Sequence, residues 1–335
     1  MGIDLPLIWF IIIVFSIMMY IVMDGFDLGI GLLYPTVKND KDRDLMMNSI
    51  APVWDGNETW LVLGGAGLFG AFPLAYAVIL DALTIPLTLM LLGLIFRGVA
   101  FEFRFKSAPE HRHIWDKAFI SGSVIATFVQ GVVVGAFIQG FPVENRAYAG
   151  GYFDWFSPFP LFCGFGLVVA YALLGCGWLI MKTEGHLQQE MYRVARPLIF
   201  LMLAVIAIIS LWTPFIHPAI AERWFTLPNL LFFLPVPLLV VWSGWKLLYS
   251  IKRKTHYTPF LSALLLVFLG YSGLGISIWP NLIPPTISYE AAAAPQQSLG
   301  FMLVGALLII PVILVYTYWS YYVFRGKVNH EQGYH

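Results

Sequence analysis

The chain has 335 residues, of which 59% are hydrophobic and 11% charged, and its formal net charge is zero. Soluble domains carry roughly 25% charged residues, so this chain cannot cover itself with a polar surface, and lipid is the solvent that its composition demands. The balanced charge gives no basis for nucleic-acid binding. The two cysteines, Cys163 and Cys176, lie on one predicted helix about 20 Å apart at the ~1.5 Å rise per residue, too far to pair.

A span needs about 20 mostly apolar residues. Nine runs qualify, at roughly 5–33, 57–76, 78–99, 118–139, 159–181, 195–213, 230–249, 259–279 and 298–323. No Lys or Arg precedes the first, so it is expected to be a retained helix rather than a cleaved signal. The second and third are nearly continuous, with a turn expected between Pro73 and Asp81. Of the 19 Lys and Arg, all but Arg146 and Arg223 then fall on one side of the membrane. The positive-inside rule makes that side cytoplasmic, with the N-terminus outside and the C-terminus inside. The expected fold is all-α: one polytopic domain over 1–335, as two groups of four helices (halves 1–139 and 159–279) plus a last helix, 298–323.

Outside loop 140–158 is aromatic and Gly-rich. Loop 280–297 is Pro- and Ala-rich and is expected to be irregular, and segment 101–117 is expected to be a short charged surface element. Trp212, Trp224, Trp279 and Trp319 fall near span ends, where amphipathic rings prefer to sit. Gly25 with Gly29, and Gly131 with Gly135, have the spacing that lets two helices approach closely, and Gly64, Gly65, Gly67 and Gly70 make one helix face smooth. Packing within the chain is the simplest reading of all three.

The residues that could carry chemistry are acidic. Asp24 and Asp27 lie three apart in the first span, so they share a helix face. An aspartate at a helix centre in the bilayer costs ~2.5–3.5 kcal/mol, and that face should point into the protein, toward a cation or a hydrated path. Asp55 and Glu58, again three apart, open the second span. The two spans run in opposite directions, so both pairs lie near the cytoplasmic side and could converge. Four like charges this close cannot all ionise cheaply, and the cluster is expected to hold and release a proton. Structural alternatives stay open: Asp55 as a cap of its helix, Asp24 and Asp27 paired with Arg97, and Asp81 solvated at the outer turn.

The seven histidines, His111, His113, His186, His217, His256, His330 and His335, all fall in predicted loops or the tail, whereas an axial heme ligand would be expected inside a span. Met18, Met90, Met202 and Met302 read as packing residues. No metal cluster, P-loop, dinucleotide fingerprint or nucleophile motif is legible.

The run Asp24-Gly25-Phe26-Asp27-Leu28-Gly29-x-Gly31, followed by Asn48-Ser49-Ile50-Ala51-Pro52-x-Trp54-Asp55-Gly56-Asn57-x-x-Trp60-Leu61, resembles subunit II of cytochrome bd-type quinol oxidases. Phe96-Arg97-x-x-x-Phe101-Glu102 and Trp115-Asp116 fit the same pattern. The specific motifs cover the first third of the chain, and the rest matches in hydropathy and span count. The short length resembles the cyanide-insensitive members.

The resemblance implies a respiratory oxidase in the bacterial inner (cytoplasmic) membrane that reduces dioxygen to water with electrons from quinol. It implies that two b-type hemes and one d-type heme are ligated by subunit I, none by this chain, and that this chain forms a heterodimer with subunit I and contributes a proton path from the cytoplasm. Asp55 matches the family aspartate assigned to that path, with Glu58, Asp24 and Asp27 tuning it, Trp54 packing beside the carboxylate to limit water, and Asn57 and Arg97 in support. A bound quinone or lipid, and a small single-helix third subunit, stay open. Two further readings rest on the same carboxylates. One is an ion-coupled transporter, favoured by Pro and Gly breaks in the spans but disfavoured by acids near one face rather than at the midplane. The other is an assembly scaffold with structural ion pairs.

Overall fold

The structure, a computed structural model, describes residues 3–328. His330 and His335 lie outside the described residues. Most of the rest is helix, because a chain surrounded by lipid must satisfy its backbone internally.

The long helices are α1 (Leu5–Leu33), α3 (Trp54–Ala71), α5 (Thr84–Lys106), α6 (Arg112–Gln139), α7 (Pro158–Lys182), α8 (Gly185–Ile216), α11 (Pro235–Arg253), α12 (Thr258–Ile278) and α14 (Gln296–Val323). Short helices join them: α2 (Asp40–Asn48), α4 (Pro73–Ala82), α9 (Pro218–Phe225), α10 (Asn229–Phe233) and α13 (Tyr289–Ala292). Two hairpins complete the connections, β1 (Val143–Glu144) with β2 (Ala147–Tyr148), and β3 (Asn281–Ile283) with β4 (Ile287–Ser288). Eight helical stretches are long and apolar enough to cross a membrane, or nine among the described residues if the bent α3–α4 pair counts as one.

Local chemistry sets the ends. The Asp4 carboxylate accepts from Leu7 N at 3.0 Å and caps α1, with Pro6 in the first turn. Asn39 caps α2 by accepting from Lys41 N. The turn expected between Pro73 and Asp81 is itself a helix: α3 stops at Ala71, and α4 leaves it bent by 119°. Pro73 lacks a donor and restricts the residue before it, so Phe72 leaves the helical region at φ −135° and ψ 63°. The α3 carbonyl of Ala71, left free by the end of the helix, accepts from Ala294 N at 2.8 Å, and Phe72 is buried. The third span therefore begins at Thr84 rather than at residue 78. Asp81 sits exposed on α4.

Two other expectations change. Loop 280–297 is not irregular, because it forms the β3–β4 hairpin and α13. Segment 101–117 is not a separate element: α5 runs on to Lys106, a single turn at Pro109–His111 follows, and α6 starts at Arg112. Similarly, α8 starts ten residues before the expected apolar run, and His186 lies on its first turn.

The most enclosed helix is α7, against which α1, α6, α8 and α12 pack. One interior cluster joins Phe26, Tyr34, Phe119, Tyr171, Trp178, Met202 and Leu266, so both expected groups of four share a core. The closest approach is between α1 and α7. A Cβ on Gly29 would lie 1.9 Å from the Tyr171 carbonyl oxygen, and Gly175 meets the Gly29 backbone in return. Gly131 and Gly135 seat α6 on α7 in the same way, so both glycine pairs pack within the chain. Cys163 and Cys176 are buried and unpaired on α7. At the other extreme, only Leu299 and Ala306 of α14 are buried.

The helix ends sort onto two faces. One gathers Asp4, Tyr289 and Glu290, and the other gathers the paired residues Arg104 and Asp44, His186 and Asp42, and Lys182 and Phe324. On this second, basic face Val328 N donates to Lys182 O at 2.9 Å and Lys182 Nζ donates to Phe324 O. Lys327 pairs with Glu184 at 2.8 Å, and its hydrogen bond and charge hold the Glu184 carboxyl below its usual range. A lowered folded value stabilises above the unfolded one and is lost as pH falls through the folded value. The protection factor of the Val328 amide is therefore expected to fall as pH drops through and below the ordinary carboxylate range, and Glu184→Gln should abolish that pH dependence in hydrogen-exchange measurements.

Candidate functional site

The acid residues are placed by helix periodicity. On α3, Asn57, Trp60, Gly64 and Gly67 face inward. Asp55 lies ~200° round the helix from Asn57 at 3.6 residues per turn, and it is exposed. Glu58 sits on the flank between them, with its side chain 26% exposed, and is long enough to reach inside. The Asp24 and Asp27 side chains on α1 are fully enclosed.

Arg97 of α5 joins these elements. Its guanidinium is buried, with Nη1 donating to Asp24 Oδ1 at 2.7 Å and Nη2 donating to Glu58 Oε1. Trp54 lies against it, with the Arg97 guanidinium carbon 5.9 Å from the ring centroid, and stacks on Phe101 at 5.1 Å. Asp27, on the same face of α1, is held differently. Its Oδ2 accepts from Asn57 Nδ2 at 2.6 Å, and Asn57 Oδ1 accepts from the Tyr321 hydroxyl of α14 at 2.9 Å. Asn57 Nδ2 also reaches Met23 O at 3.3 Å. Asp24 Oδ2, Asp27 Oδ1 and Arg97 Nε are buried with no protein partner among the described residues.

Six of the seven sequence-predicted site residues therefore meet: Asp24, Asp27, Trp54, Asn57, Glu58 and Arg97. Asp55 does not. It points away from the cluster, one turn from Glu58. It does not cap α3 through its side chain either, since Val53 occupies that position and no side-chain capping bond is made. Its charge still lies in the first turn, where the helix dipole favours it.

Two polar groups escaped the sequence reading. Arg104 of α5 is buried, with Nε donating to Asp116 at 2.5 Å and Nη1 donating to Asp44 at 2.5 Å. The Tyr34 hydroxyl also donates to Asp116 at 2.9 Å, and Arg43 reaches its other oxygen at 3.4 Å. This group ties α1, α2, α5 and α6 together at the basic face. The second is a chain inside the membrane region, in which Gln130 donates to the Tyr20 hydroxyl at 2.7 Å and accepts from Tyr171 at 3.2 Å. A glutamine inside an apolar span was the available signal, since intramembrane polar residues are rare. Tyr321 had no such signal, because its partner is 264 residues away in sequence. Of the other motif residues, Glu102 is exposed and pairs with Lys106 at 2.9 Å, and Trp115 packs on Phe103.

No group of three or more His, Cys, Asp or Glu among the described residues could hold a metal ion. Buried Met90 and Met202 belong to the aliphatic and aromatic core, and the described histidines lie at or beyond helix ends.

A family model for cytochrome bd terminal oxidase subunit II matches residues 5–324. The chain belongs to that family. It is 29% identical to the Escherichia coli cytochrome bd-I ubiquinol oxidase subunit 2, over 98% of this chain and 96% of the relative. It is 28% identical to the Bacillus subtilis cytochrome bd ubiquinol oxidase subunit 2, over 97% of each. A chain of the solved bd oxidase from Geobacillus thermodenitrificans has the same fold, with a TM-score of 0.75 at 17% identity, covering 93% of this chain and 97% of that one. This bd oxidase subunit II is thus a multi-span component of a respiratory terminal oxidase, an oxidoreductase complex that uses hemes and includes a subunit I. Family membership removes the transporter reading.

Proposed function

We propose that this subunit packs against the heme-bearing subunit I of a quinol:oxygen oxidoreductase in the bacterial inner membrane and delivers protons to it from the cytoplasm. The basic face is the cytoplasmic one. The two b-type hemes and the d-type heme belong to subunit I, and this chain's own residues handle protons.

The single observation that carries the reading is the graded burial of the acids. Asp55 is exposed, Glu58 is partly exposed one turn further along, and Asp24 and Asp27 are enclosed behind it. Arg97 supplies one positive charge against three buried or half-buried carboxylates. A guanidinium stays protonated, so Arg97 anchors the acids while protons move on the carboxylates. Asp55 collects a proton at the rim, Glu58 passes it inward, and Asn57 with Tyr321 orients Asp27. Trp54, stacked on Phe101, shields the Arg97 side from water.

Exposed Asp55 and Thr59 on α3 would be costly against lipid, which supports α3 and the adjoining α14 as the surface that subunit I covers. In the assembled oxidase, Asp55→Asn is expected to lower turnover by ten-fold or more, in the range of a lost general acid or base, with the heme spectrum unchanged. Wild-type turnover in a fully assembled variant would remove Asp55 from the path.

The Arg97–Asp24 pair specifically favours a second reading, a structural clamp with no proton traffic. Glu58→Gln separates the two. A clamp alone predicts lowered thermal stability with the turnover of surviving complexes intact, whereas a path predicts lost turnover in complexes that remain assembled.

A further inference from the structure

Arginines at the basic face differ in how their charge is met. On the α1–α6 side, Arg43, Arg97 and Arg104 each meet a carboxylate. On α8 and α11, Arg193, Arg196, Lys252 and Arg253 are exposed, and none forms an ion pair among the described residues. The one acid on that stretch of α8, Glu190, faces His186 at 4.0 Å.

The register of α8 against α11 places three of these cations together. The Tyr192 hydroxyl donates to Thr255 O at 3.0 Å, Lys254 Nζ donates to Gln189 Oε1 at 2.7 Å, and Gly244 sits against Leu203. In this antiparallel pairing, Arg193 and Arg196 lie level with Lys252. Arg193, Arg196 and Phe200 share one stripe of α8 (i, i+3, i+7), and Val241, Trp245 and Lys252 share one of α11 (i, i+4, i+11). Both stripes flank the outer side of the seam, since Leu247 and Ser250 of α11 and Met191 and Ala195 of α8 turn inward. Each stripe runs from cations at the basic face into exposed apolar side chains, with Phe200 and Trp245 both 62% exposed. The charge ends where the apolar surface begins.

We propose that this seam binds an anionic phospholipid, its phosphate held by Arg193, Arg196 and Lys252 and its acyl chains lying along Phe200, Val241 and Trp245. Arginine suits a phosphate because its planar fork matches two oxygens. The site differs from a merely basic rim in joining unpaired cations to an apolar track across a fixed helix pair. It does not depend on the proton-path reading.

The test is native mass spectrometry of the purified oxidase complex titrated with phosphatidylglycerol, with phosphatidylcholine and inorganic phosphate as separate arms. The wild-type complex is expected to retain phosphatidylglycerol selectively. Each cation near an anionic lipid contributes a roughly five-fold factor, so Arg193→Gln/Arg196→Gln/Lys252→Gln should bind it about a hundred-fold more weakly, with the heme spectrum reporting intact assembly. Arg193→Lys/Arg196→Lys keeps the charge but loses the fork, so it should bind more weakly than wild type and more tightly than the triple variant. Lys38→Gln/Lys41→Gln removes exposed charge elsewhere on the same face. Equal loss in that variant would reduce the effect to general surface charge and overturn the site. Unchanged binding in the triple variant, or competition by inorganic phosphate at the same concentration as lipid, would also overturn it.

Discussion

Arg97→Ala is expected to prevent the oxidase from accumulating in the membrane. The guanidinium is fully enclosed and bonds to Asp24 and Glu58 on two different helices. Removing it leaves Asp24, which is equally buried, with no cation. Breaking one partner of a buried ion pair costs about 3–5 kcal/mol because the other charge stays desolvated, a large share of the ~5–15 kcal/mol that holds a domain folded. Arg97→Lys should rescue only in part, since an ammonium has no fork to span two carboxylates. The pair is separable from general packing by a double-mutant cycle. Asp24→Asn should recover much of the loss in an Arg97→Gln background, measured as heme-bearing complex after detergent extraction. Additive losses in that cycle would mean that the contact carries no coupling.

Gly29→Ala is expected to have an effect of similar size by an unrelated route. The added methyl would lie 1.9 Å from the Tyr171 carbonyl oxygen, and the neighbour is backbone, which cannot rotate away. Helices α1 and α7 would have to separate along the Gly29–Gly175 contact. Overpacking ordinarily costs about 1–3 kcal/mol, and more is expected here because α1 also carries Asp24 and Asp27. A shift of α1 would pull Asp27 from Asn57 and Asp24 from Arg97 together. The control is Gly270→Ala on α12, where a Cβ meets nothing within 4 Å. It should be neutral or slightly stabilising, since alanine is the better helix former. A thermal midpoint for Gly29→Ala equal to that of Gly270→Ala would show that the close approach is not required.

These two residues mark what could be read in advance. Gly29 was recognisable as a small residue at helix-packing spacing, and Arg97 as a charge that must find a partner. A pairing of Arg97 with the α1 aspartates was already open in the sequence, but not which of the two it meets or that Glu58 shares it, and the Tyr171 backbone opposite Gly29 was not recognisable. Asp24 and Asp27 share one face by the same periodicity, yet one meets α5 and the other α3, because neighbouring residues of a face point into different interhelical seams. Asp55 and Glu58 are again three apart, yet only Glu58 enters the cluster. The inward face of α3 is set by Asn57 and Trp60, so the shorter Asp55 is left outside. The α3–α4 bend was visible as a proline, but its 119° angle and the burial of Phe72 in the same cluster as Trp9, Ile13 and Ala75 were not.

By itself, the amino-acid sequence determined the membrane class, the apolar core of each span though not the polar turns that extend α5, α6 and α8, the separation of basic from non-basic ends, and the family. Each follows from a one-dimensional cause: bilayer thickness sets the length of an apolar run, loops are short enough for charge to be counted along the chain, and the motif is contiguous. Only the tertiary structure decided which acids converge, that Tyr321 reaches Asn57 across the chain, and that Arg193, Arg196 and Lys252 lie beside one seam. Those depend on which helix lies opposite which. Helical periodicity fixes the direction of a side chain about its own axis, and the identity of what it meets is set by the packing of all the others.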